Sequence, residues 1–156
     1  MRIESDRRAA MLKNIPPLLT PDALHALASM GHGDEVVVAD ANFPSARLAA
    51  QGGARLVQLA GADATGVLRA VLQVLPLDTF GAEAAWTMQV VGDAHAVPPP
   101  VAEFREALAA AGERPPASLE RMAFYTRAAQ AFVILRSGES RKYGNIVLRK
   151  GVVAGA

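Results

Sequence analysis

Two side chains able to do chemistry fall inside one short stretch, Met30-Gly31-His32-Gly33-Asp34-Glu35-Val36-Val37-Val38-Ala39-Asp40. His32 supplies an imidazole whose ordinary pKa of about 6.5 lets it give or take a proton near neutral pH. The flanking glycines let a ligand approach its backbone closely. Asp40 follows an uninterrupted β-branched run at 36–39, the pattern of a strand covered on both faces, and so stands where open α/β sheets bind ligands. The stretch reads as an active-site wall. Further along, Arg121 can donate to two oxygens at once, Tyr143 offers a hydroxyl, and the Asn145 amide both donates and accepts. With His32 and Asp40, these residues suit a neutral, hydroxyl-rich ligand. Each also has a plainer reading. His32 could be a helix-cap histidine, Arg121 a surface ion-pair partner and Lys142-Tyr143 the start of an edge strand. Asp78, in Pro76-Leu77-Asp78-Thr79-Phe80, could be a turn or cap aspartate.

Missing motifs narrow the chemistry further. Gly31-His32-Gly33 lacks the third glycine of a dinucleotide fingerprint, and Gly138-Glu139-Ser140-Arg141-Lys142 lacks the leading glycine of a phosphate-binding loop. No Gly-x-Ser-x-Gly elbow is present. His32, Asp34 and Asp40 have no second histidine at ligand spacing, so no metal site is expected. The 156 residues include no cysteine, which excludes disulfides and thiolate chemistry and points to a reducing cytoplasm. Net charge is +1 with 5% aromatics, which argues against a nucleic-acid surface. No apolar run approaches the ~20 residues that span a bilayer, and residues 1–10 lack the apolar centre of a signal peptide. That decapeptide, mostly polar and charged, reads as a disordered or mis-called extension, with Met11 an alternative start, ahead of one folded domain over 11–156.

Positioning these residues requires alternating helices and strands. Thr20-Pro21-Asp22 is a helix start, with a hydroxyl cap, a proline at the first position and an acid near the dipole, for a helix running to about Met30 and closed by Gly31. Strands are expected at 36–39, 55–59, 85–91, 131–136 and 145–149, and helices at 65–75, 101–111 and 124–130. Residues 45–51 fit neither pattern, 92–100 read as a proline-rich crossover carrying a solvated His95, and 113–117 as a hinge. An extended 119–123 would bring Arg121 and Tyr125 together around a corner. His25 reads as a surface residue of the first helix. The alternation predicts a single α/β domain with a mainly parallel sheet flanked by helices.

The order and spacing of several tags carry a resemblance over nearly the whole chain. Met11-Leu12-Lys13, Leu19-Thr20-Pro21, Met30-Gly31-His32-Gly33-Asp34-Glu35, Ala39-Asp40-Ala41-Asn42-Phe43-Pro44, Pro76-Leu77-Asp78-Thr79-Phe80, Phe124-Tyr125, Gly138-Glu139 and Lys142-Tyr143-Gly144-Asn145 together resemble the L-fucose mutarotase branch of the fucose mutarotase and ribose pyranase family. The resemblance implies an isomerase that interconverts the α and β anomers of L-fucose, or of related free monosaccharides, without a cofactor. It assigns His32 the catalytic proton transfers, with Asp78 and Tyr125 implicated beside it, and gives Asp40, Arg121, Tyr143, Gly144 and Asn145 to the sugar. It also implies a ring of subunits, often a decamer, in which the C-terminal tag of one subunit completes its neighbour's pocket. Pyranose to furanose interconversion of D-ribose is the alternative within the family, and a non-catalytic sugar-binding protein the alternative outside it. The chain departs from the family pattern at Leu59-Ala60-Gly61, where many members carry an acid at the middle position and the nearest acid here is Asp63.

Overall fold

The computed structural model describes residues 11–155, so the expected extension at 1–10 lies outside the described residues. Thr20 opens the first helix by accepting the Ala23 N–H at 3.3 Å, with Pro21 at the start of α1 (Pro21–Ser29). Then follow β1 (Glu35–Ala39), α2 (Ser45–Gly52), β2 (Arg55–Leu59), α3 (Ala64–Val74), β3 (Ala85–Met88), α4 (Pro99–Ala110), β4 (Ala117–Leu119), α5 (Arg121–Ala129), β5 (Val133–Ser137) and β6 (Ile146–Arg149).

The six strands form one sheet in the order β2-β5-β1-β6-β3-β4. Five strands run the same way, and β6 runs antiparallel to both of its neighbours, β1 and β3. The expected α/β domain with a mainly parallel sheet is therefore correct in class, with one reversed strand near the middle. Side chains alternate across β1, so Val36 and Val38 join the core under α1, α3 and α4, while Val37 and Ala39 join the core under α2 and α5. Helices on both faces explain the continuous apolar run. The β1 residues 36–39 have no exposed surface at all.

Several expected boundaries move for identifiable reasons. The ambiguous residues 45–51 are α2, whose buried Leu48 and Ala49 lie on the sheet and whose end is set by Gly53 at φ +76°. Helix α4 starts at Pro99, because proline is tolerated in a first turn where N–H groups lack helical partners. The extended segment expected at 119–123 is instead the end of β4 and the first turn of α5. There the Glu120 carboxylate accepts the Met122 and Ala123 N–H groups at 2.9 and 3.2 Å and starts the helix. Strand β3 stops at Met88 rather than Val91. Helix α1 is closed without Gly31 turning left-handed; the positive φ, +88°, belongs to Gly33, and the Asp34 carboxylate accepts the Gly31 N–H at 2.7 Å.

Candidate active site

His32 sits in the turn between α1 and β1, at the N-terminal edge of the parallel strands. Its ring is 48% exposed, and Nε2 lies 3.2 Å from Oδ1 of Asp78, whose side chain is 5% exposed. Asp78 comes from the connection between α3 and β3, anchored where its N–H donates to the Arg149 carbonyl at 3.0 Å. The same carboxylate oxygen accepts the Phe80 N–H at 3.1 Å, so Asp78 is a turn aspartate and a histidine partner together. The Phe80 N–H, then the His32 ring and the Gly81 N–H hold its carboxyl below the ordinary carboxylate range, against burial, which acts the other way. An ionised carboxylate only accepts, so this pairing assigns the proton of a neutral His32 to Nε2 and leaves Nδ1 as the basic nitrogen. Phe80 was quoted in a sequence tag but not singled out as a site residue. Its ring is 78% exposed and tilts against His32 with centroids 5.2 Å apart.

Asp40 and its partners occupy the other end of β1. The cavity there, about 200 Å³, is lined by Asp40, Arg121, Tyr125, Tyr143 and Asn145, together with Asn42, Phe43, Met88, Val91 and Lys142. Asp40 is buried and its two oxygens accept four hydrogen bonds. Oδ1 takes the Asn42 and Phe43 N–H groups at 2.9 and 2.8 Å, and Oδ2 takes the Gly144 N–H at 3.1 Å and Asn145 Nδ2 at 3.0 Å. The side-chain oxygen Oδ1 of Asn145 accepts the Asp40 N–H in return, at 2.8 Å. Asp40 thus ties the loop after β1 to the tag before β6. Arg121 and Tyr125 both lie on α5, one turn apart, so they share a helix face rather than meeting around a corner. Arg121 is exposed, and the Tyr125 ring packs edge-on against Phe43 at 5.4 Å.

Tyr143 is not the start of a strand. Its φ is +63°, a left-handed conformation that costs a non-glycine residue on the order of 1–3 kcal/mol and collects at functional sites. The Tyr143 hydroxyl accepts the Val91 N–H at 3.1 Å, beyond the end of β3. Gly144 is required by crowding: an added Cβ would stand 2.8 Å from Glu139 Cγ and 3.3 Å from Asp40 Cβ. Behind the tag, Arg141 bridges Glu139, on its own loop, and Glu103 of α4. The Arg141 guanidinium first, then the Thr65 hydroxyl, hold the Glu103 carboxyl down at about 2, and Arg141 lowers Glu139 as well. Nothing in the local sequence pattern signalled this support.

His32 and Asp40 are eight positions apart in sequence, yet the strand between them rises ~3.3 Å per residue and separates them by roughly 20 Å. The expected single wall is therefore two half-sites at opposite ends of β1, His32–Asp78–Phe80 and the Asp40 cavity. A larger hollow of about 950 Å³ beside Glu35 and Arg127 contains none of the expected residues, and Glu35 is already bonded to Arg127 and Arg149. Asp63, the acid nearest the departed family position, caps α3 by accepting the Gly66 N–H at 2.7 Å. His25 is exposed and lies 2.6 Å from Nη1 of Arg55. Among the described residues, no three histidine or carboxylate side chains are grouped to hold a metal, and no helix is long and apolar enough to cross a membrane.

The pattern of the RbsD / FucU transport protein family matches residues 13–153. Fucose mutarotase of Homo sapiens is 44% identical over 147 residues, 92% of this chain and 95% of the human protein. The crystal structure of the fucose mutarotase in complex with L-fucose from Streptococcus pneumoniae superposes with a TM-score of 0.84 at 36% identity, over 92% of this chain and 100% of that one. The structure of Bacillus subtilis RbsD complexed with D-ribose, 20% identical with a TM-score of 0.69 over 87% of this chain and 95% of that one, shares the fold.

Proposed function

The chain belongs to the RbsD / FucU family, and on that premise we propose that it is an isomerase interconverting the α and β anomers of L-fucose, with His32 moving the proton. The observation that carries the mechanism is the His32–Asp78 pair, an accessible imidazole oriented by a buried carboxylate 3.2 Å away. Nδ1 of His32 takes the proton of the anomeric hydroxyl while the bond from C1 to the ring oxygen breaks. The ring oxygen takes a proton from a second hydroxyl, a tyrosine or a water. Rotation about C1–C2 of the open aldehyde presents its other face. The ring oxygen then attacks C1, its proton passes back, and His32 returns the first proton to the new anomeric oxygen. No redox change occurs and no cofactor is required.

We further propose that each working site is built from two copies of the chain. The sugar-binding group of Arg121, Tyr143, Gly144 and Asn145, with Asp40 fixing the tag and Tyr125 as the candidate second proton carrier, lies too far from His32 of its own chain to share one monosaccharide. A neighbouring copy can bring its His32 there. Exposed apolar side chains border each half, Phe80 beside His32 and Val91 in the lining of the cavity, with Met122 next to Arg121 on α5, as surfaces covered on assembly would. Repeating this head-to-tail contact closes a ring, and a decamer is the assembly we propose. The cysteine-free chain fits a cytoplasmic location.

Mixing inactivated variants tests the shared site. His32→Ala and Arg121→Ala, each weak alone, are expected after joint unfolding and refolding in equal amounts to regain about a quarter of wild-type exchange, the share of interfaces that pair two intact halves at random. Activity no higher than the sum of the two variants would place both halves in one chain.

A further inference from the structure

We infer that Arg114 is a positioning residue of this active site, a guanidinium clamp that holds the loop carrying Asp78 and Phe80 against His32. The inference rests on the reading of His32 as the proton-transfer group. Arg114 lies between α4 and β4, in the segment expected to be a hinge, and its side chain gathers three carbonyls of the loop. Nη1 donates to the carbonyl oxygens of Gly81 and Ala82 at 2.7 and 2.6 Å, and Nη2 donates to that of Asp78 at 2.7 Å.

Besides this clamp, the loop is tied near its ends, where the Asp78 N–H donates to the Arg149 carbonyl and the Arg149 N–H donates to the Ala84 carbonyl, and by its own turn, where the Phe80 N–H donates to the Asp78 carboxylate. The residues between carry the exposed Phe80. The Asp78 carbonyl that Arg114 holds belongs to the same residue as the carboxylate 3.2 Å from His32, so a shift of that peptide is a shift of the imidazole's partner. The support behind the clamp is stiff. β4 begins three residues after Arg114 and pairs in parallel with β3, with Trp86 opposite Ala117. A planar fork with five donors can serve three carbonyls at fixed angles. A lysine ammonium on its flexible stem cannot reproduce that geometry. Arg114 is exposed, lies outside the lining of the Asp40 cavity and touches the Asp78 loop only through backbone carbonyls, so its removal acts on the loop before it acts on the core.

The test uses the full chain labelled with ¹³C-histidine. The imidazole signals of His32, identified by their loss in His32→Ala, carry the ring-current effect of Phe80. In Arg114→Ala they are expected to move toward their positions in Phe80→Ala. Exchange of L-fucose anomers at saturating sugar is expected to fall roughly tenfold, more than the sugar concentration for half-maximal rate changes, as misplacement of a catalytic group by a fraction of an ångström would give. Arg114→Lys should lie between Arg114→Ala and wild type in both readouts, and it serves as the test protein if the alanine variant does not fold. Unchanged His32 signals in folded Arg114→Ala or Arg114→Lys would overturn the inference. Because those signals are read without turnover, a wild-type protein that exchanges no sugar would overturn the reading of the reaction while leaving the clamp separately tested.

Discussion

His32→Ala is expected to slow anomer exchange on L-fucose by about 10²–10⁴-fold, the range that a positioned general acid or base supplies. Stability should change little, because the ring is half exposed and its one polar partner, Asp78, keeps the Phe80 N–H when the imidazole is removed. The two halves of the prediction test different things. Loss of exchange with an unchanged melting temperature assigns the proton transfers to His32, whereas loss of both would make His32 a structural partner of the Asp78 loop. Asp78→Asn refines the assignment. Its amide can still bond Nε2 but can also favour the other tautomer, so a smaller loss of rate without loss of sugar binding is expected. Anomer exchange followed by NMR and melting followed by circular dichroism give the two readouts.

Asp40→Ala is expected to destabilise the protein by at least about 3 kcal/mol, because it removes the acceptor of four donors, of which the Phe43 N–H alone also reaches the Asp40 backbone carbonyl, and buried unpaired groups each cost about 1–3 kcal/mol. A domain of this kind has only roughly 5–15 kcal/mol of total stability, so the variant should unfold at markedly lower urea concentration. The structure gives this expectation its particular form. Three of the donors are backbone N–H groups in the loop after β1 and in the tag, and the fourth is the side chain of Asn145. Asp40→Asn keeps one carbonyl oxygen and turns an NH₂ toward the others, so it should be intermediate. If Asp40 acted on the sugar alone, Asp40→Ala would raise the sugar concentration needed for exchange and leave the urea midpoint where it was.

What the sequence disclosed, and what it withheld, follows from the range of the interactions involved. Thr20-Pro21 and the valines of β1 announce themselves through local rules, a cap and an unbroken β-branched run, and both elements were legible. The start of α5 has local support, since Glu120 caps it and Arg121, Met122 and Ala123 are good helix formers, and the extended reading of 119–123 passes over that preference. The reversal of β6 leaves no trace in its own residues, since Ile146, Val147 and Leu148 are buried in either direction. The site residues were legible as a set of types but not as an arrangement. Closeness in sequence suggested that His32 and Asp40 face one ligand, and an extended strand between them puts them at opposite edges of the sheet. Arg114 and Arg141 act on carbonyls and carboxylates between 32 and 38 positions away, and nothing at their own positions marks them, apart from the bond of Arg141 to its near neighbour Glu139.

The most direct measurement of the central claim is saturation-transfer NMR on equilibrated L-fucose, with D-ribose in parallel, with and without the protein. Saturating the α-anomeric proton of L-fucose should deplete the β signal only when the protein is present, and His32→Ala should abolish the transfer. Transfer on D-ribose alone would assign the chain to pyranose and furanose interconversion instead. No protein-dependent transfer on either sugar, from folded and assembled protein, would contradict the account and leave a sugar-binding protein without turnover.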